Sequence, residues 1–132
     1  MKVSVNRKGF TLIEMLVVVA IIGILAGTVL TALGPARNKG RDARIISGLN
    51  NVAALAETAF TGNAYPATLG EIPNATSSVA DIKAYNGGVT PTYNIGTGSF
   101  GLSSPLASGG IYCVDSTGKK GIKDAASGVC PD

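Results

Sequence analysis

The sequence predicts an α+β protein, in which a long protruding N-terminal α-helix packs by its C-terminal half against a small antiparallel β-sheet head. Three observations predict this class. Residues 15–36 carry no charge. Residues 61–132 hold 12 of the 18 glycines and 5 of the 6 prolines, a composition typical of short strands and turns. Between these segments, apolar residues recur at the helical spacings 4, 3, 4 and 3, namely at Ile45, Leu49, Val52, Ala56 and Ala59.

The composition excludes several classes of function. The chain has 132 residues, is 45% hydrophobic and 14% charged, and has a mean hydropathy of +0.32, so it is not a disordered polar tail. It contains no histidine, which excludes Ser-His-Asp and Cys-His catalysis and histidine metal ligands. Its few acids are scattered, and we expect neither an enzyme nor a cofactor. Three of the 11 basic residues precede residue 10, so the remainder is formally neutral and nucleic-acid binding is not indicated, although a local basic patch would permit it.

The first predicted element is an apolar helix over residues 10–36. Its uncharged part is about 33 Å long as a helix, which is enough to cross the ~30 Å hydrocarbon core of a bilayer. Lys2, Arg7 and Lys8 precede it, and the positive-inside rule then keeps the N-terminus in the cytoplasm and exports the rest. Glu14 is the one acid in this helix. Because an ionised acid at membrane depth is costly, we expect Glu14 to have a partner.

The second predicted element is an amphipathic helix over residues 37–60, which continues the same spine. Gly34 and Pro35 separate the two halves. Proline removes a helical N–H and clashes with the preceding turn, so we expect a kink or a melted stretch around Leu33–Arg37. A continuous helix over Phe10–Phe60 would be about 76 Å long, too long for a globule of this size, and much of it is therefore expected to protrude.

Residues 61–132 are predicted to form the head. A turn at residues 61–63 ends the spine, and a short helix is expected near Ser77–Ala84. The head is too small and too rich in glycine to fold securely alone, so it should pack on the amphipathic half of the spine. Strands are expected around Thr92–Ile95, Ser99–Leu102 and Gly110–Asp115, with a short return strand at Gly121–Lys123.

The residues at the start of the apolar helix form a specific motif. The sequence Lys8-Gly9-Phe10-Thr11-Leu12-Ile13-Glu14-Met15-Leu16-Val17-Val18-Val19 resembles the class III signal of type IV pilins and pseudopilins. The resemblance implies that a prepilin peptidase cuts between Gly9 and Phe10 and N-methylates Phe10. It implies that Glu14 pairs with the Phe10 amine of a neighbouring subunit; the alternative is a lone glutamate that reaches lipid headgroups and water. It also implies that Gly34 and Pro35 let the spine bend and stretch; the alternative is that they end the membrane helix.

The resemblance implies a structural subunit of a type IV pilus. Residues 1–9 would be the cleaved leader, 10–36 a transmembrane and filament-core helix, 37–60 the amphipathic half of the spine, and 61–132 a β-rich head with a C-terminal disulfide loop. The expected partners are the membrane, prepilin peptidase, an inner-membrane assembly platform and further copies of the chain. The subunit would span the inner membrane once before it enters an extracellular filament. The alternatives are a type II secretion pseudopilin, which forms a periplasmic pseudopilus, and a monomeric membrane-anchored binding module.

The C-terminal region carries two cysteines and three acids. An even cysteine count in an exported domain predicts a disulfide between Cys113 and Cys130, as in the C-terminal loop of many type IV pilins, and two free thiols are the alternative. Major pseudopilins bind calcium in this region, which makes Asp115, Asp124 and Asp132 weak calcium candidates. Their spacing matches no calcium loop, and solvated turn acids are the favoured interpretation.

Overall fold

A computed structural model describes residues 9–123 and 130 of the chain. Its elements, in chain order, are helix α1 (Leu12–Thr58), a 3₁₀ turn (Leu69–Glu71), helix α2 (Ala75–Tyr85) and strands β1 (Thr92–Gly96), β2 (Ser99–Pro105), β3 (Ile111–Asp115) and β4 (Lys120–Lys123). The predicted α+β class is confirmed, because the C-terminal half of a long N-terminal helix packs on an antiparallel sheet. The chain divides into two compact units between Gly34 and Pro35.

Helix α1 changes character along its 47 residues. Every residue from 9 to 34 is exposed. The second half is amphipathic and buries one stripe, as its apolar spacing predicted; Ala53 joins that stripe, and Ala59 is half-buried. The buried residues of α1 are Ile45, Leu49, Val52, Ala53 and Ala56.

Of the two outcomes expected around Leu33–Arg37, the melted stretch is wrong, because α1 continues through Pro35. The kink stays a prediction. Proline deprives one carbonyl, that of Thr31, of its backbone donor. The alanine, leucine and arginine residues on either side of Pro35 all favour helix. Because the residues on both sides of Pro35 favour helix, the loss of one hydrogen bond does not end α1.

Helix α2 packs closely against α1. A Cβ placed on Gly48 would lie 2.6 Å from Cγ1 of the fully buried Ile82, so only glycine permits this approach without a shift. Next to this contact, Nδ2 of Asn51 donates to Oγ of Ser78 at 2.7 Å. The short helix predicted near Ser77–Ala84 is confirmed, and α2 extends beyond it at both ends.

The four strands form an antiparallel meander in the order β1-β2-β3-β4, close to the predicted positions. Leu102 on β2 pairs with Tyr93 on β1 and with Val114 on β3. Because side chains alternate along a strand, these three residues face the same side of the sheet, where Phe100 also lies. Together with the α1 stripe they form the core of the second unit. Cys113 precedes Val114 and therefore faces the opposite side of β3.

Candidate functional site

The predicted cleavage junction lies just before α1, outside regular secondary structure. Gly9 and Phe10 are both exposed, and Phe10 retains 80% of its accessible surface. A Cβ built on Gly9 would meet no atom within 4 Å. Packing among the described residues therefore does not explain why glycine stands here, whereas an external protease cleft that must accommodate the backbone would.

Glu14 closes a capping box with Thr11 at the N-terminus of α1. The Thr11 backbone N–H donates to Oε2 of Glu14 at 2.7 Å, and the Thr11 hydroxyl donates to the same oxygen at 2.8 Å. The Glu14 backbone N–H in turn donates to Oγ1 of Thr11 at 3.3 Å. The box satisfies N–H groups that the start of a helix leaves unpaired. Sequence reasoning missed the role of Thr11, although the spacing of threonine and glutamate is the usual signal for such a box.

The capping box leaves part of the Glu14 carboxylate available. Both Thr11 donors use Oε2, and no described residue donates to Oε1. Every group of the box lies after the Gly9–Phe10 bond, so a cut at that bond would leave it intact. The cut would also create an α-ammonium group on Phe10, about one helical turn from Glu14. The carboxylate therefore caps its own helix and keeps one acceptor oxygen for a cation.

The residues that follow Glu14 present a continuous apolar surface. From Met15 to Leu33, the large apolar side chains are between 47% and 70% exposed. Within residues 9–123, α1 is the one helix long and apolar enough to cross a membrane, with a mean hydropathy of 2.7 over its most apolar 18 residues. A surface of this extent requires a bilayer or other apolar side chains to cover it.

The flexibility assigned to Gly34 and Pro35 remains a prediction. Both residues are exposed and lie in regular helix. A Cβ on Gly34 would meet no atom within 4 Å, so contacts with the described chain do not require glycine. The features that favour bending are local: Pro35 has no N–H to donate, and Gly34 has no side chain to restrict the backbone.

Cys113 and Cys130 form a disulfide, as the cysteine count predicted. Their Cα atoms lie 5.4 Å apart, and only 1% and 5% of the two residues are exposed. Cys113 belongs to β3, an inner strand, on the sheet face opposite Val114. The bond therefore attaches residue 130 to the outer face of the sheet.

Of the three calcium candidates, only Asp115 lies within the described residues. Its Oδ1 accepts hydrogen bonds from the Thr117 N–H and hydroxyl at 2.9 Å and 2.7 Å and from the Lys119 N–H at 3.1 Å. This side chain organises the turn between β3 and β4. Asp124 and Asp132 lie outside the described residues, and residues 9–123 and 130 contain no cluster of three or more His, Cys, Asp or Glu side chains.

Sequence reasoning also missed how α1 is joined to the loop between β2 and β3. Oδ1 of Asp42 accepts hydrogen bonds from the backbone N–H groups of Ala107 at 2.7 Å and Ser108 at 3.2 Å. The partners are more than 60 residues apart in the chain, so no local pattern indicates the pairing. The one available signal is that Asp42 is the sole acid among the basic residues of 37–44.

Tyr65 packs the loop after α1 onto the spine and the sheet. Its ring centroid lies 4.6 Å from that of Phe60 and 4.8 Å from that of Phe100. Its hydroxyl donates to Oε2 of Glu57 at 2.9 Å. Desolvation raises the pKa of Tyr65, and the bond to the Glu57 carboxylate raises it further. Tyr93, on the same face of the sheet as Phe100, also has a pKa raised chiefly by burial.

Comparison with known proteins places these features in context. A family model described as the prokaryotic N-terminal methylation motif matches residues 5–30. The chain is 44% identical over 52 residues to the type IV wide pilus major component PilA4 of Thermus thermophilus, an alignment that covers 39% of this chain and only 40% of that protein. It is 31% identical over 127 residues to fimbrial protein Q of Moraxella bovis, which covers 93% of this chain and 76% of that protein. No solved structure gives a significant match.

The comparisons and the fold lead to the same conclusion. The methylation motif spans the exposed junction, the capping box and most of the apolar surface. The Moraxella alignment extends over nearly the whole chain, and the α+β architecture fits it. The chain is a structural subunit rather than an enzyme, and it belongs to the type IV pilin family.

Proposed function

We propose that this chain is a type IV pilus subunit that is cut after Gly9, N-methylated at Phe10 and polymerised into a helical filament. The observation that carries the proposal is the exposed Gly9–Phe10 bond, which a Thr11–Glu14 capping box follows directly. The names of the two relatives, a pilus component and a fimbrial protein, support a pilus over a periplasmic pseudopilus.

Processing and assembly involve partners that act in order. The apolar half of α1 first anchors the chain in the inner membrane with its N-terminus in the cytoplasm, where prepilin peptidase cuts and methylates it. An inner-membrane assembly platform then moves the subunit from the bilayer into an extracellular filament. Copies of the same chain replace lipid around the surface from Met15 to Leu33. The exposure of that surface supports this sequence of partners, because it needs cover at both stages.

Glu14 pairs with the Phe10 ammonium group of a neighbouring subunit. Oε1 supports this role, because no described residue donates to it and a cation can bind there without displacing the Thr11 donors. A carboxylate and an ammonium attract strongly in an apolar filament core, where water does not screen them. In the bilayer, before a neighbour is present, the two Thr11 hydrogen bonds reduce the cost of keeping a carboxylate at membrane depth.

Intact mass spectrometry of the purified protein tests the processing step. We expect loss of residues 1–9 and the addition of one methyl group. Gly9→Val is the matched variant: it should remain full-length because its side chain blocks the protease cleft, while the chain itself has room for that side chain. A full-length wild-type chain would contradict the proposal and indicate a membrane-anchored binding module.

Electron microscopy of cells that carry Glu14 variants tests the assembly step. Glu14→Gln retains an acceptor for Thr11 but loses the charge, so it should insert into the membrane and yield few or no filaments. Asp81→Ala, which removes an exposed acid that accepts no hydrogen bond in the described chain, should assemble normally. Normal filaments from Glu14→Gln would refute the charge-pairing role, and wild-type filaments confined to the periplasm would indicate a pseudopilus.

A further inference from the structure

Half of the basic residues that follow residue 9 lie in one short stretch of α1. This basic belt consists of Arg37, Lys39, Arg41 and Arg44. All four side chains are exposed. None of them makes an ion pair or a hydrogen bond with any part of the chain that the structure describes. The belt is therefore an unmatched block of positive charge.

The acids of the same chain are mostly engaged elsewhere. Asp42 lies within the belt, but its carboxylate binds the backbone N–H groups of the loop between β2 and β3. Among the described acids, Asp81 alone is exposed and accepts no hydrogen bond. Those that accept at least one are Glu14, Asp42, Glu57, Glu71 and Asp115.

The belt begins where a bilayer would end. Arg37 directly follows residues 15–36, whose length as a helix, about 33 Å, matches the hydrocarbon core. Arg44 lies about 10 Å farther along the helix axis. The headgroup layer is about 5–8 Å thick on each side, and a charged surface acts over about 8 Å more at physiological salt. All four cations therefore lie within reach of lipid phosphates.

Three of the four cations of the belt share one side of the helix. At 3.6 residues per turn, Arg37, Arg41 and Arg44 fall within about 60° of one another. Lys39 lies on the other flank of the stripe that begins at Ile45. Three of the four cations are arginines, whose planar guanidinium groups bind phosphate oxygens through two parallel hydrogen bonds.

We propose that the basic belt binds the phosphate groups of anionic phospholipids in the membrane leaflet on the exported side. This inference rests on the membrane-anchored stage of the proposed function. A second copy of the chain is a poorer match, because five of its six described acids already accept hydrogen bonds within that copy and would have to share their carboxylates with the belt. Lipid binding fixes the depth at which α1 sits, and these contacts must break when the subunit leaves the bilayer.

The test uses the full chain in vesicles of phosphatidylcholine with a minor fraction of phosphatidylglycerol. Flotation measures insertion, and electron paramagnetic resonance of spin-labelled lipids measures the preference of the chain for phosphatidylglycerol over phosphatidylcholine. Arg37→Gln/Arg41→Gln is compared with Lys83→Gln/Lys120→Gln, which removes two exposed cations of the head. We expect the belt variant to lose about fivefold in this preference for each arginine removed. The control variant should show the same preference for phosphatidylglycerol as the wild type, and added salt should weaken that preference in both.

The outcomes distinguish the inference from the function on which it rests. A wild-type chain that floats without preferring phosphatidylglycerol, or two double variants with equal preference, would overturn the lipid role and leave membrane anchoring intact. A wild-type chain that does not float would overturn the membrane stage and this inference with it. If the belt variant keeps the wild-type preference for phosphatidylglycerol, while Asp81→Lys blocks filaments and Arg41→Glu restores them, the belt binds a second copy and the lipid proposal is wrong.

Discussion

Replacement of Gly48 by alanine tests whether the α1 backbone at this position lies in close contact with the Ile82 side chain of α2. The new Cβ would lie 2.6 Å from Cγ1 and 3.1 Å from Cδ1 of Ile82. Carbon atoms in contact prefer about 3.5–4.0 Å, so one partner must move by about 1 Å. Ile82 is fully buried and Cγ1 is not the free end of its side chain, so relief requires either a new Ile82 rotamer in a packed core or a shift of one helix.

The change in the free energy of unfolding caused by Gly48→Ala is the difference between two opposing effects. Overpacking of this kind costs about 1–3 kcal/mol. Replacing a helical glycine by alanine contributes up to about 1 kcal/mol in the opposite direction. Gly40→Ala is the matched control, because it lies in the same helix and its Cβ would meet no atom within 4 Å. We therefore expect Gly48→Ala to be less stable than Gly40→Ala by about 1–3 kcal/mol.

Denaturant titration of the full chain in detergent, followed by circular dichroism, measures this difference. Ile82→Ala removes the clashing atoms, so the double variant with Gly48→Ala should lose less stability than the sum of the two single variants. Equal stability of Gly48→Ala and Gly40→Ala would refute the reasoning, because it would mean that no close approach constrains residue 48.

Three further predictions concern the second compact unit. Replacing Cys113 and Cys130 by serine should lower the free energy of unfolding by about 3 kcal/mol, measured by denaturant titration, with no added effect of reductant on the variant. Asp42→Ala leaves two loop N–H groups without their acceptor and should cost about 1–3 kcal/mol; faster hydrogen exchange in residues 106–110 would confirm the location. The folded-state pKa of Tyr65 and of Tyr93 is raised above the ordinary value of about 10, so stability should be unaffected below about pH 10 and fall as the pH rises through the raised values. Alkaline unfolding of the double phenylalanine variant should be less steep.

Features with a local signal could be predicted from the sequence. The stripe from Ile45 to Ala56 repeats at helical spacing, and turn residues separate the strands, so both elements were predicted close to their observed positions. The motif that contains the Gly9–Phe10 junction and Glu14 is contiguous, so the family could be identified from the sequence, while the roles of these residues stay predictions. The melted stretch expected at Pro35 was wrong, since one missing donor weighs less than the helix on both sides of it.

Features that join distant segments could not be predicted. Asp42 meets the loop at Ala107, and Gly48 meets Ile82, across long stretches of chain that only the folded backbone brings together. Glycine in a helix and aspartate among arginines are each compatible with an ordinary solvent-exposed position. Their roles follow from what lies opposite, which depends on the position of every intervening element.

Under the proposed topology, the order in which segments of the chain emerge on the exported side determines the order in which they can fold. Val114 packs over the buried stripe of α1 and follows Ala56 by 58 residues. If the chain emerges at the rate of its synthesis, roughly 5–20 residues per second, the stripe stays exposed for roughly 3–12 s before Val114 can pack on it. Each hairpin of the meander can close as soon as its second strand arrives, because all pairings join consecutive strands. The bond to Cys130 comes last. The disulfide therefore closes only after residue 130 has emerged, and a subunit truncated before that residue leaves the Cys113 thiol unpaired.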